Sequence, residues 1–283
     1  MKLSTRVGLA ACVALAAITP ASANHSWGGY HWARTSNPFT LKVNTALTSQ
    51  WTSPVNGAIS DWTSSTVLNL TGQGAPAGTS AKRCSAIIGQ VLVCNDSYGQ
   101  RGWLGIASIT LSGGHINSGT TKLNDTYFNT AKYNTPAWRN MVACQEIGHD
   151  FGLDHQDEVF DNYNLGTCMD YTNAPGGGSI GTFNYGPNNE HPNTHDYDQL
   201  KSDYQHLDSS TTISAATNFG IRQVGQPVRQ AVSIDPGNSP AEWGRAIHND
   251  AQGRPNVYVR TSNGVTVLTH VFWAIGEGPG RSN

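Results

Sequence analysis

Charge is what this 283-residue sequence has least of. Asp, Glu, Lys and Arg make up 13% of it, and 17 cations against 19 acids leave a formal net charge of −2. Soluble domains usually carry about 25% charged residues. So few cations, spread along the chain, give no electrostatic hold on nucleic acid or on an anionic membrane, so neither is expected as a partner. Long apolar runs are also scarce. The most apolar stretch, Val7 to Ile18, is too short to span a bilayer comfortably, and no later stretch looks transmembrane. There is no internal repeat of useful period and no regular alternation of strands with helices. The order of elements therefore argues for an α+β fold.

What is present begins with a leader. MKLSTRVGLAACVALAAITPASA has two early cations, an apolar run and Ala21-Ser22-Ala23 at its end. That pattern predicts a signal peptide over residues 1–23, cleaved after Ala23, and a secreted, extracellular product with no membrane attachment. Cleavage would remove Cys12 and leave Cys84, Cys94, Cys144 and Cys168. An even set in an oxidising compartment favours disulfides. Three pairings are open. The preferred one joins Cys84 to Cys94, closing a local hairpin, and Cys144 to Cys168, tying a helix to a later loop.

Along the chain, FTLKVNTAL (Phe39 to Leu47) alternates like a strand, and Trp51, Val55, Ile59 and Trp62 share one face of a helix. A strand is expected at Leu68 to Leu70 and a strand or hairpin at Ile87 to Cys94, with a loop over Gly72 to Ser80 between them. Two more are expected within Gly102 to Asp125, joined around Gly113-Gly114. The strongest helix runs from Thr135 to Leu153, with Thr135 as N-cap, Pro136 at the first helical position and Gly152 placed to end it. A glycine- and asparagine-rich stretch precedes a helix over His195 to Leu207. NVYVRT and VTVLTHVFWA, around Ser262-Asn263-Gly264, read as a hairpin. The expected organisation is a signal peptide at 1–23, a main domain at 24–208, a linker at 209–226 and a small β-rich C-terminal extension at 227–283.

The stretch with the most chemistry is QEIGHDFGLDH, Gln145 to His155. Gln145 and His149 lie about 40° apart on a helix, one turn from each other, so ligand atoms on both can meet one ion. Glu146 sits beside them, able to reach a water without ligating the metal. Gly152 allows a sharp turn that swings His155 back toward the same ion.

This segment resembles the zinc helix of the metzincin metallopeptidases, His-Glu-x-x-His-x-x-Gly-x-x-His. It matches at Glu146, His149, Gly152 and His155 and departs at Gln145. TCMDY, Thr167 to Tyr171, resembles the methionine turn of that clan, and the order of elements upstream looks matrixin-like. The resemblance implies a twisted mixed sheet, a zinc helix, a Met-turn and a C-terminal helix. It implies one catalytic Zn2+ held by His149 and His155, with Gln145 a doubtful third ligand, and Glu146 as the general base. Met169 would be the floor of the site, and Tyr171 a fifth ligand or transition-state contact. The implied activity is endoproteolysis, with a protein or peptide substrate bound as an extended strand along Gly105 to Leu111. No long propeptide is expected between Ala23 and Tyr30, and no early cysteine to block the metal.

Gln145 keeps alternatives open. Its carboxamide oxygen is a weaker zinc donor than imidazole. His191 or His195 could replace it, and Tyr171 could offset the lost donation. Cys144 is a poor substitute, about 140° from His149 around the helix. A catalytically inactive metzincin fold used for binding is the alternative function. His115, in its glycine turn, is expected to be a surface histidine. Asp157, Glu158 and Asp161 form an acidic loop for which Ca2+ is conceivable but unsupported.

Overall fold

The computed structural model describes residues 24–214, 234–262 and 264–279. The leader with Cys12, and the part of the expected linker beyond residue 214, lie outside the described residues. In chain order the elements are β1 (Phe39–Ala46), α1 (Ser49–Thr63), β2 (Leu68–Gly74), β3 (Val91–Asp96), β4 (Trp103–Ser112) and β5 (His115–Asn124). There follow α2 (Asp125–Phe128), α3 (Pro136–His149), β6 (Gly178–Ile180), β7 (Phe183–Gly186) and α4 (Thr194–Asp203). The chain closes with α5 (Pro240–Trp243), β8 (Arg245–Asn249), β9 (Pro255–Ser262) and β10 (Val265–Trp273).

Eight strands form one mixed sheet in the order β2-β1-β3-β5-β4-β10-β9-β8, and β6 and β7 form a separate ribbon. β1 pairs in parallel with β2 and β3, and β3 with β5; every other pair in the large sheet is antiparallel. The architecture is thus α+β. Helices α1 and α3 pack on each other and against the sheet. Trp51, Val55, Ile59 and Trp62 of α1 are all buried, as their spacing requires. On α3 the buried face carries Trp138, Met141 and Val142. Burial of such side chains, at roughly 1.5–3 kcal/mol each, is what holds these helices down.

The C-terminal β segment does not stand apart. Its hairpin, β9 and β10, extends the main sheet, with β10 antiparallel to β4 from Thr266↔Leu111 to Trp273↔Trp103. This corrects one expectation. Gly105 to Leu111 has no free edge to offer a substrate, because β5 pairs one side and β10 the other. The outer strands of the sheet are β2 and β8.

Both expected disulfides are present, Cys84–Cys94 and Cys144–Cys168. The first does not close a hairpin, however. Its strand, β3, is flanked by β1 and β5, and Cys84 sits in a preceding turn with φ +48°. The bond pins a loop to the sheet instead.

Candidate metal centre

Helix α3 begins where its sequence says it should. Thr135 caps it, accepting from the Trp138 N–H at 3.3 Å, and Pro136 occupies the first turn. Two ties fix its C-terminal half. The Trp62 indole donates to the Cys144 carbonyl at 3.0 Å, and Cys144 is bonded to Cys168, next to Met169. Met169 lies against the helix: a Cβ on Gly148 would meet its Sδ at 2.9 Å. Met169 is fully buried, and its peptide is held by the Thr167 hydroxyl and the Gln156 N–H. The turn that carries Met169 therefore lies against the helix at Gly148, next to His149.

The helix ends at His149, earlier than its apolar pattern suggested. Gly152 is the cause. Its φ is +94°, and a Cβ there would lie 1.9 Å from the Tyr30 carbonyl oxygen. No other residue fits. We expect Gly152→Ala to destabilise the fold by roughly 2–4 kcal/mol, from strain and displacement of the Tyr30 segment together. Denaturant unfolding would measure this, and a loss below about 0.5 kcal/mol would contradict it.

The turn brings His155 back over the helix. His149 Nε2 and His155 Nε2 stand 3.1 Å apart, both residues buried. His149 Nδ1 is 2.8 Å from the Leu153 carbonyl oxygen, which can only accept, so Nδ1 carries the proton. His155 Nδ1 is 2.9 Å from Glu158 Oε1, again an acceptor when ionised. Neutral rings held this way present two lone pairs to each other. That arrangement calls for a cation between them, and the Nδ1 partners are the orienting contacts usual for metal-binding histidines.

A third imidazole reaches the same place from β10. The ligand atoms of His149, His155 and His270 all lie within 4.8 Å of one another. His270 stacks on His149 with centroids 4.1 Å apart, and Trp27 packs edge-on against both rings. Parallel rings cannot both aim a lone pair at one ion, so ligation by both requires His270 to turn about its side-chain bonds. His270 Nε2 is 3.5 Å from Asp154 Oδ1. Three imidazoles are a fitting donor set for zinc.

Around the histidines lie polar atoms with no protein partner. Both carboxylate oxygens of Glu146 and both amide atoms of Gln145 are buried and without hydrogen bonds, and the buried Tyr171 hydroxyl has Asn256 beside it. An unmade buried bond costs roughly 1–3 kcal/mol, so such a concentration in one place is the signature of a site. Glu146 lies against β4 where a Cβ on Gly105 would meet its Oε1 at 2.7 Å. The Tyr171 ring packs on His155 at 4.2 Å and on Phe272 at 4.7 Å.

The structure brings together Glu146, His149, His155, Met169 and Tyr171. It takes His191 and His195 elsewhere. His191 is largely exposed and bonds Asp61 at 2.7 Å, and His195 stacks on His25 at 4.8 Å. The acidic loop is also committed otherwise. Asp157 accepts from Val159 N and Asn162 Nδ2, and Glu158 from His155 and Asn256. His115, expected at the surface, is partly exposed and bonds Asp208 at 3.1 Å. The residue that sequence reasoning missed is His270. Its only signal was a histidine standing in an otherwise apolar strand, VTVLTHVFW.

Burial raises Glu146 well above the ordinary carboxylate range, helped by the charge of Asp150, and burial likewise raises Asp150. His149 and His270 are held below the usual histidine value, first by burial and then by neighbouring histidines. These shifts fix a pH signature for the metal-free protein. Raised carboxylates bind more protons when folded, so their contribution falls as pH rises from their unfolded values through their elevated range. Depressed histidines do the reverse: their contribution is present above the unfolded value of 6.5 and lost as pH falls below it. The buried carboxylates and the buried histidines thus act in opposite directions. Zinc requires deprotonated ligands, so the stability that zinc adds should shrink as pH falls below 6.5 through the lowered range of the histidines. Melting temperatures with and without chelator across that range would check this, and a constant gap would contradict it.

No family model matches the chain, and no curated protein is significantly similar to it.

Proposed function

We propose that this chain is an exported, zinc-dependent endopeptidase of metzincin type, whose third histidine comes from the C-terminal hairpin. The observation that carries this reading is the convergence of His149, His155 and His270, with a buried, unpartnered Glu146 on the same helix as His149. Nothing in the protein interior asks for Glu146, whose carboxylate makes no structural bond.

Zinc held there would supply Lewis acidity toward a peptide carbonyl. Glu146 is placed to take a proton from the attacking water and return it to the leaving amine, and its elevated proton affinity suits that task near neutral pH. Glu158 and the Leu153 carbonyl orient the ligand rings. Met169 packs beneath the helix, and Tyr171 holds a hydroxyl in the site. Export is supported by the leader sequence and by the two disulfides. No helix among the described residues is long and apolar enough to cross a membrane.

One observation favours a second reading. With β10 on β4, and Gln145, Glu146 and His149 fully buried, the centre is closed to an extended peptide by that edge. A catalytically silent fold, stabilised by its metal and used for binding, has this appearance. Zinc content and cleavage of unfolded casein, measured on wild type and Glu146→Ala, separate the two. Bound zinc with Glu146-dependent cleavage is the expected result. Bound zinc without any cleavage would leave the silent module.

A further inference from the structure

A second group of metal-ligating side chains lies outside this centre. We infer that His31, His115, His206 and Asp208 form a structural zinc site that fastens the N-terminal segment to the body of the protein. This goes beyond the catalytic reading and does not depend on it. The four donors come from three places: the segment before β1, the first residue of β5, and the turn after α4.

Three of the donors are mutually close, with the ligand atoms of His31, His115 and Asp208 all within 4.8 Å of one another, and His206 joins them through His31 and Asp208. Asp208 Oδ1 is 3.1 Å from His115 Nε2, 3.7 Å from His31 Nε2 and 3.7 Å from His206 Nε2, and the last two nitrogens are 3.2 Å apart. Four ligands at zinc's usual bond length of about 2.0–2.1 Å sit about 3.3 Å from one another. The observed separations bracket that edge. The His31 ring meets those of His115 and His206 nearly at right angles, 87° and 89°, so the rings approach by their nitrogens and do not stack.

The surroundings orient the donors. His31 Nδ1 is 2.9 Å from the Gly29 carbonyl oxygen, so it carries the proton and leaves Nε2 with its lone pair facing the cluster. Asp208 Oδ2 is taken by Arg34, whose backbone N–H and guanidinium donate to it at 3.1 and 2.9 Å, so Oδ1 alone faces the histidines. The same guanidinium donates to the carbonyls of Tyr204 and His206, which sets the course of the turn. Arg34 is itself buried. Three imidazoles and one carboxylate, with His31 and Asp208 each backed by a second contact, make a four-donor set of the structural kind. His115 and His206 are partly exposed, 31% and 53%, which gives an ion its way in.

The consequence reaches the first centre. The segment that His31 anchors also carries Trp27, which packs on His149 and His270 and whose N–H donates to the Gly152 carbonyl at 2.7 Å. The second ion would hold that wall in place.

The test is zinc stoichiometry by native mass spectrometry on the full-length secreted protein. Wild type should carry two zinc ions per chain. His115→Ala and His206→Ala, made at partly exposed positions, should each carry one. His149→Ala with His155→Ala should also carry one, and adding His206→Ala to that pair should remove it. Hydrogen exchange of residues 24–34 should slow on zinc addition in the His149→Ala/His155→Ala protein, and not once His206→Ala is added. Two results would overturn the site: a single zinc in wild type that His206→Ala leaves in place, or a second zinc that survives His115→Ala and His206→Ala together. In either case the cluster is a hydrogen-bonded network held by protons, and the catalytic reading stands or falls separately.

Discussion

His270→Ala should weaken zinc binding at the catalytic centre by about a hundredfold. Structural zinc sites bind with roughly 10–16 kcal/mol from four ligands, so one imidazole is worth about 3 kcal/mol. Gln145→Ala should change affinity by less than about tenfold, because under the proposed assignment three imidazoles would hold the ion without the carboxamide, a weak donor. The pair of variants separates the ligand set with Gln145, suggested by the sequence, from the one with His270, which the fold brings near His149 and His155. His270 is 1% exposed, so its removal also leaves a void; His270→Gln keeps most of the volume and should lose nearly as much affinity. Competition against a chromophoric chelator gives both numbers. A larger loss in Gln145→Ala than in His270→Ala would reverse the assignment.

Glu146→Gln should keep the zinc and lose the chemistry. A positioned general base contributes roughly 10²–10⁴-fold, and the amide cannot accept a proton at working pH. Casein cleavage should fall by about that factor while zinc content is unchanged. The metal-free variant should be no less stable than wild type, and more stable toward high pH, because it removes a buried carboxylate that no protein group satisfies. Cleavage equal to wild type would remove Glu146 from the mechanism. A large loss of stability would mean that the carboxylate has a structural partner after all.

What was legible in the sequence was what local physics decides. The Trp51, Val55, Ile59, Trp62 stripe, the capped α3, the turn at Gly113-Gly114 and the hairpin of β9 and β10 all rest on residues close in the chain. The boundaries that moved did so for tertiary reasons. β3 starts at Val91 and not at Ile87, because Gly89 takes a φ of +78° and its backbone bonds Ser214. α4 stops at Asp203, short of Leu207, because the carbonyls beyond it turn to Arg34.

The site was legible only in part. Glu146, His149, Gly152 and His155 lie within ten residues, so the helix and the glycine turn that follows it place them. His270 lies more than a hundred residues on, and nothing local announces that β10 will pair with β4 and set His270 opposite Ala107. The same holds for the second cluster, where His115 looked like an ordinary turn residue until the N-terminal segment and the end of α4 came beside it. Long-range strand pairing is fixed by the sum of many weak preferences, and those are not written at any one position.

The most direct test of the catalytic centre is a zinc anomalous difference map from a crystal of the full-length protein. An ion should lie about 2.0–2.1 Å from His149 Nε2, from His155 Nε2 and from one ring nitrogen of His270, with the His270 ring turned out of its stack on His149. An ion bound through the Gln145 carboxamide with His270 left stacked, or no ion between His149 and His155 at saturating zinc, would contradict it.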